Sequence, residues 1–210
     1  MVEKARITVI AGVNGAGKSS VAGERLRQSG GEYFNPDEAT QRFLAASPSM
    51  TLEEANARAW HEGRRQLSDA ITNRADFIFE TTLGGRTITE LLLKALDSGL
   101  EVAMIYVGLE SAELHLDRVR SRVDAGGHDI AEAKVRERYT SSLQNLVRLA
   151  PRLTALRVLD NSADADPKTG HCPEPRELLY SEAGKLIRQS DLLICPAWAK
   201  PVFVVLLRNA

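Results

Sequence analysis

Short apolar runs alternate with helical patterns along most of the chain. The runs at 7–11, 102–107 and 156–159 are largely apolar, which is typical of parallel strands that are buried on both faces. Between them, apolar residues recur three and four positions apart, which is the spacing of amphipathic helices. This alternation predicts an α/β fold: a mostly parallel, five-stranded sheet with helices on both faces.

Polar residues between the apolar runs indicate where several elements begin. Thr51 and Glu54 form a capping-box pattern, and Asn35-Pro36 suits the first turn of a helix. The predicted strands cover 5–11, 32–34, 77–79, 102–107 and 156–159. The predicted helices cover about 18–28, segments starting near 36 and 52, and 86–98, 112–124 and 131–149. After a turn-rich linker at 163–175, we predict a β-hairpin of 176–180 and 185–188, then an apolar tail around Trp198 that packs on the body.

The first apolar run leads directly into a phosphate-binding loop. Residues 12–19 read GVNGAGKS, which is the P-loop pattern G-x-x-x-x-G-K-S between a strand and a helix. Its glycines let successive N–H groups point at an anion, Lys18 can reach the β and γ phosphates, and Ser19 can hold Mg²⁺. The chain lacks the N-K-x-D sequence that selects guanine, which favours ATP. The expected nucleotide-binding residues are Gly12, Val13, Asn14, Gly15, Ala16, Gly17, Lys18, Ser19 and Ser20.

Two acidic residues follow predicted strands, at the sheet edge where ligands bind in open parallel sheets. Asp37 can accept the proton of an attacking hydroxyl as a general base, or it can simply complement the dipole of its own helix. Glu80 can hold Mg²⁺ through water or bind a substrate hydroxyl. Thr81 and Thr82 can assist by hydrogen bonding.

Arginines are concentrated on the helices predicted after the fourth strand. Arg118 and Arg122 lie four residues apart on one helix face, and Arg138 lies on the next helix, beyond a Gly-Gly-His break that ends at His128. Arginine suits a migrating phosphoryl group because its planar fork is always charged. We therefore predict a helical lid around 112–149, with His128 near the substrate. A solvated helix surface paired with neighbouring glutamates is the alternative.

Composition narrows the class of protein. The chain has 210 residues, 43% hydrophobic and 26% charged, which is typical of a soluble globular protein. A net charge of −1 argues against long nucleic acids and anionic membranes as partners. Cys172 and Cys195 have no C-x-x-C spacing, so we expect free thiols, a cytoplasmic protein, and no metal other than nucleotide-bound Mg²⁺.

Several motifs together resemble the zeta-toxin family of P-loop kinases. These are the P-loop, N-P-D-E at 35–38, F-E-T-T-L at 79–83 and G-G-H-D-I at 126–130, followed by Arg138-Tyr139 and L-Q-N-L at 143–146. The resemblance covers about residues 6–162. It implies transfer of the γ-phosphate of ATP to a sugar hydroxyl of a UDP-N-acetyl amino sugar, and a small antitoxin protein as partner. It also implies that Asp37 is the general base, that Glu80 binds substrate and that Arg138 stabilises the transferred phosphoryl group; Arg118 or Arg122 would supply the second arginine.

The sequence as a whole predicts a P-loop kinase domain over 1–162 and a C-terminal extension over 163–210 that packs on the same domain. The predicted function is an ATP-dependent kinase that phosphorylates a hydroxyl of a small molecule. Two alternatives stay open at this point. One is a nucleotide-dependent switch or ATPase module that acts through a protein partner, and the other is a kinase for a nucleoside or an RNA end.

Overall fold

The computed structural model describes residues 4–28, 32–127, 129–163 and 173–209. Strands and helices alternate, and the predicted α/β fold class is confirmed. The strands are β1 (Arg6–Ala11), β2 (Phe77–Thr81), β3 (Glu101–Gly108), β4 (Ala155–Asp160), β5 (Arg176–Glu182) and β6 (Lys185–Gln189). The α-helices are α1 (Glu24–Gln28), α2 (Pro36–Ala46), α3 (Leu52–Asn73), α4 (Arg86–Asp97), α5 (Ala112–Asp124), α6 (Glu132–Leu149) and α7 (Lys200–Leu207).

One sheet runs through the described residues, in the order β2-β1-β3-β4-β5-β6. The first four of these strands are parallel, and β5 and β6 are antiparallel additions. Ile10 of β1 pairs with Glu80 of β2 and with Ile105 of β3, so the carboxyl ends of the central strands lie at one edge. The P-loop begins at that edge.

Three local predictions differ from the structure. Residues 32–34 do not form a strand: only Phe34 pairs, as an isolated bridge to Phe79, because Asn35 immediately caps α2 and turns the chain away. The predicted hairpin extends the sheet through β4, which makes six strands in the described chain rather than five. The predicted helix over 18–28 begins with a π-helical turn at Ser19–Gly23 before α1, and its predicted end at 29–31 lies outside the described residues.

Local capping signals are correct in detail. The Thr51 backbone N–H donates to Glu54 Oε2 at 2.9 Å, and the Glu54 N–H donates back to Thr51 Oγ1 at 3.3 Å. Asn35 Oδ1 accepts the N–H of Asp37 at 2.9 Å. These bonds satisfy donors that every helix start leaves open, which is why the motif can be identified from sequence.

The main core lies between the sheet and helices α3, α4, α6 and α7. Its fully buried members include Val9, Leu67, Leu92, Leu146 and Leu206. On the other face, Val21, Ala22 and Leu26 share a cavity with apolar side chains of β1, β2, β3 and β4. Helical turns therefore cover both faces of the sheet.

The C-terminal segment packs into the same core. Trp198 is 6% exposed and lies over Gly108, where an added Cβ would come within 2.4 Å of the indole ring. Val202, Phe203 and Leu206 of α7 join the main cluster. Among the described helices, none is both long enough and apolar enough to cross a membrane.

Candidate active site

The P-loop is held from three sides. Gly12 has a φ of +146°, and a Cβ there would lie 2.2 Å from the carbonyl oxygen of Val107. The Gly12 N–H donates to the Thr81 carbonyl at 3.2 Å, and Asn161 Nδ2 donates to the Ala16 carbonyl at 2.9 Å. Strands β2, β3 and β4 thus fix the loop, because each contributes a contact at or beside its carboxyl end.

The side chain of Glu80, at the end of β2, contacts two residues of the P-loop. The Ser19 hydroxyl donates to Glu80 Oε2 at 2.9 Å, and Lys18 Nζ lies 3.4 Å from Glu80 Oε1. Both charged side chains are buried, so each needs the other as a partner. Asn35 Nδ2 lies 3.5 Å from Glu80 Oε2 and completes the cluster.

The Ser19–Glu80 pair fits a nucleotide-bound Mg²⁺. Magnesium prefers oxygen ligands and is usually held by one or two protein groups together with substrate phosphates. A hydroxyl and a carboxylate joined by a hydrogen bond at the P-loop provide that donor set. No cluster of three or more His, Cys, Asp or Glu suited to a metal occurs among the described residues.

Two cavities of about 310 Å³ each adjoin at this edge. The P-loop cavity lies over Asn14–Ser20 and is bordered by Arg118 and Arg122. The α3 cavity lies between the starts of α2 and α6, the middle of α3 and the end of β2. The residues that line both are Asn14, Pro36, Asp37, Glu80, Thr81 and Thr82.

Asp37 is at the junction of the two cavities. Its side chain is 48% exposed, and Arg122 Nη1 lies 3.4 Å from its Oδ2. It also lies in the first turn of α2, so it complements that helix dipole at the same time. Thr81 lines both cavities too, and its hydroxyl accepts the N–H of Leu83 at 3.0 Å.

The three predicted arginines divide between the cavities. Arg118 and Arg122 border the P-loop cavity, and Arg118 Nη2 donates to the Ala163 carbonyl at 3.1 Å. Arg138 borders the α3 cavity, and its Nη1 donates to Asn14 Oδ1 at 2.7 Å. Burial lowers the pKa of Arg138 below its usual range. The predicted substrate contact His128 lies outside the described residues.

The predicted nucleotide-binding residues fall into two groups. Six of them line the P-loop cavity: Asn14, Gly15, Gly17, Lys18, Ser19 and Ser20. The other three, Gly12, Val13 and Ala16, are buried and do not line this cavity. Val13 packs with Leu116 and Val135 in a small second core, which connects the loop to α5 and α6.

His115 on α5 supports the loop and was not expected from the sequence. It is 1% exposed, and its Nδ1 lies 2.8 Å from the Asn14 carbonyl oxygen. Burial lowers the pKa of His115 to about 4, and the charges of Lys18 and Arg118 act in the same direction. The imidazole is therefore neutral near pH 7 and donates from Nδ1. A single histidine in a helix has no motif that would reveal this role.

The site combines a P-loop at the edge of a parallel sheet, a buried Lys–Glu pair and a second cavity beside the loop. These features define a P-loop, kinase-like nucleotide-binding protein. The chain belongs to the AAA domain family, whose profile matches residues 7–146. It is 31% identical over 133 residues to an uncharacterised protein of Haemophilus influenzae, covering 61% of this chain and 88% of that protein.

Solved structures share the fold. AvrRxo1-ORF1, crystallised with ORF2 and ATP, is 13% identical with a TM-score of 0.65, over 99% of this chain and 77% of that chain. A protein of the PezAT chromosomal toxin–antitoxin system of Streptococcus pneumoniae is 13% identical with a TM-score of 0.54, over 76% of this chain and 69% of that chain. At these identities the likeness establishes the architecture.

Proposed function

We propose that this protein is an ATP-dependent kinase that transfers the γ-phosphoryl group to a hydroxyl of a small molecule. One observation carries the proposal: a P-loop cavity and an α3 cavity of similar size meet at Asp37 and Glu80. A nucleotide held by the P-loop would present its γ-phosphate toward this junction. An acceptor in the α3 cavity would reach the same point from the other side.

The residues of the P-loop cavity take the donor roles. Lys18, Arg118 and Arg122 would surround the phosphate oxygens with positive charge, which phosphoryl transfer requires. Ser19 and Glu80 would hold Mg²⁺, which neutralises phosphate charge when bound. This use of Glu80 follows from its contact with Ser19, and it differs from the substrate contact that the family resemblance implies.

Asp37 takes the acceptor role. Its carboxylate would accept the proton of the attacking hydroxyl as that oxygen forms a bond to the γ-phosphorus. The bond from phosphorus to the β–γ bridging oxygen breaks, and ADP leaves with the electron pair. The family resemblance makes a UDP-N-acetyl amino sugar the first acceptor to test. A small antitoxin protein remains a predicted partner on the same basis.

The test follows labelled phosphate from γ-labelled ATP in wild type and in Asp37→Asn. The variant should bind ATP normally and lose transfer by at least about a hundredfold, because general-base catalysis contributes roughly 10²–10⁴-fold. Glu38→Gln is the matched control: Glu38 is the next residue of α2, is exposed, and pairs with Arg27. Near wild-type transfer by Asp37→Asn would remove the base role. Label that moves only to inorganic phosphate would support the switch or ATPase alternative.

A further inference from the structure

Arg138 is a half-buried arginine without an ion pair in the described part of the chain. No carboxylate of the described residues lies at ion-pair distance from its guanidinium. Burial lowers the pKa of Arg138, but a guanidinium stays charged at neutral pH. A cation that is withdrawn from water is costly unless an anion compensates it. We therefore expect an anionic group beside this guanidinium when the site is filled.

Two contacts hold the side chain of Arg138. Its stem lies against Gly84, where an added Cβ would come within 2.9 Å of Arg138 Cγ. Its tip donates from Nη1 to Asn14 Oδ1 at 2.7 Å. A guanidinium can only donate, so the amide oxygen of Asn14 must face it. The loop after β2 and the P-loop thus fix the two ends of a side chain that starts on α6.

Asn14 is itself fixed, and it lies where the two cavities meet. It is 9% exposed, and its backbone carbonyl oxygen lies 2.8 Å from His115 Nδ1. It lines both the P-loop cavity and the α3 cavity, as Asp37 and Glu80 do. The hydrogen bond to Asn14 therefore places the tip of Arg138 next to the junction at which phosphoryl transfer is proposed.

The cations of the site approach this junction from two sides. Lys18, Arg118 and Arg122 line the P-loop cavity, and Arg138 lines the α3 cavity. A cation on the nucleotide side contacts phosphate as soon as ATP binds. A cation on the acceptor side meets the phosphoryl group only as that group moves toward the acceptor. An interaction made only in the transition state raises kcat without tightening the binding of ATP.

We propose that Asn14 is a positioning residue for phosphoryl transfer: its Oδ1 holds the guanidinium of Arg138 at the junction of the cavities, where the guanidinium binds the phosphoryl group in transit. Asn14 orients, and Arg138 touches the phosphoryl oxygens. The inference rests on the proposed kinase function for the direction of transfer. It adds no bond to those that form and break in that reaction.

The test is a double-mutant cycle with Asn14→Ala and Arg138→Ala, in which label transfer from γ-labelled ATP and the affinity for ATP are both measured. Each single variant should lower kcat by at least about tenfold, because a hydrogen bond to a charged group is lost, and should leave the affinity for ATP unchanged. The double variant should have a kcat within about twofold of that of Arg138→Ala, because Asn14 then has no guanidinium to hold.

The variants are chosen to leave the loop intact. Asn14→Ala keeps the backbone carbonyl that His115 contacts, so this support of the P-loop is retained. Arg136→Ala is the matched control, because Arg136 lies two residues earlier on α6 and pairs with Glu113 and Glu132. It should have the kcat and the ATP affinity of wild type.

A second measurement needs no acceptor. ADP with Mg²⁺ and aluminium fluoride imitates a phosphoryl group in transit, so wild type should bind ADP more tightly when aluminium fluoride is present. Both single variants should lose at least about tenfold of this tightening and keep their affinity for ADP alone. Guanidinium chloride, at a concentration that does not unfold the protein, should restore part of the tightening to Arg138→Ala. It should not restore it to the double variant, because Asn14 Oδ1 is needed to hold the free guanidinium.

Three results would overturn the role of Asn14: losses in kcat that add fully in the double variant, a loss of ATP affinity in Asn14→Ala as large as its loss in kcat, or equal rescue by guanidinium with and without Asn14. Failure of the kinase proposal looks different. If the aluminium fluoride results hold but label never reaches an acceptor, the positioning role stands and the kinase function falls. If Asn14→Ala labels an acceptor at the wild-type rate, the kinase function stands and the positioning role falls.

Discussion

Acidification should destabilise this protein through His115. The pKa of this imidazole falls from 6.5 to about 4 in the folded state, mainly because the ring is buried. Between pH 6.5 and 4 the histidine is mostly protonated in the unfolded chain and mostly neutral in the folded chain. The free energy of unfolding therefore decreases as pH falls through this range. Linkage between these two pKa values gives a loss of about 2 kcal/mol between pH 7.5 and 5, and of about 3 kcal/mol below pH 4.

The assay is urea unfolding of wild type and His115→Asn at pH 7.5, 6.5, 5.5 and 5. Asparagine places an amide nitrogen where the histidine has Nδ1, so the hydrogen bond to the Asn14 carbonyl can persist without the titration. Between pH 7.5 and 5, wild type should lose about 2 kcal/mol more than the variant. The carboxylates and the other histidines are common to both proteins and cancel in the comparison.

His61→Asn serves as the control, because His61 is exposed on α3 and its replacement leaves the buried imidazole in place. It should follow the pH dependence of wild type. Equal losses in wild type and His115→Asn would refute the argument, since they would show that the imidazole is not kept neutral by the fold. Nucleotide affinity gives a second readout, because a charged His115 beside Lys18 and Arg118 would repel both P-loop cavity cations.

Two further predictions concern the cavities. Lys18→Ala should weaken nucleotide binding by at least about tenfold, because a charge-assisted contact is lost and Glu80 is left buried without its cation. Titration with a fluorescent ATP analogue measures the affinity, and Lys94→Ala, at an exposed position, is the control. Unchanged affinity in Lys18→Ala would contradict the P-loop assignment. Gly63→Ala should lower the free energy of unfolding by about 1–3 kcal/mol in urea, because the new Cβ meets Phe34 at 2.5 Å. Gly85→Ala is the control and should lower it less, because nothing lies within 4 Å of the new Cβ. Equal losses in the two variants would contradict the reasoning.

Local chemistry explains what the sequence could predict. The P-loop, the Thr51–Glu54 capping box and the Asn35 cap each depend on residues a few positions apart, and all three have the expected conformation. The position of Glu80 followed from the rule that ligands bind at strand ends. The hydrogen bond between Glu80 and Ser19 could not be predicted, because Ser19 is distant in sequence and only the pairing of β1 with β2 brings the two residues together.

Tertiary packing decides the remainder. Spacing places Arg118 and Arg138 on successive helices, but it does not show that Asn14 holds Arg138 at the α3 cavity while Arg118 borders the other. Trp60 matches a core residue or a pocket wall equally well until the buried stripe of α3 is known. Residues 32–34 have the composition of a strand, yet the cap at Asn35 ends their pairing after one bridge.

The packing of α5 and α6 limits how a lid over 112–149 could move. Leu146 and Leu149 of α6 are fully buried in the main core, and Val135 is fully buried in the small core below the P-loop. Exposing one such side chain costs about 1.5–3 kcal/mol. Exposing all three would cost about 4.5–9 kcal/mol, which is comparable to the whole free energy of micromolar nucleotide binding, about 8 kcal/mol. Asn14 adds hydrogen bonds to both helices, through His115 and Arg138. Arg122 should therefore reach bound phosphate by rotation of its own side chain, while α5, α6 and the P-loop keep their positions.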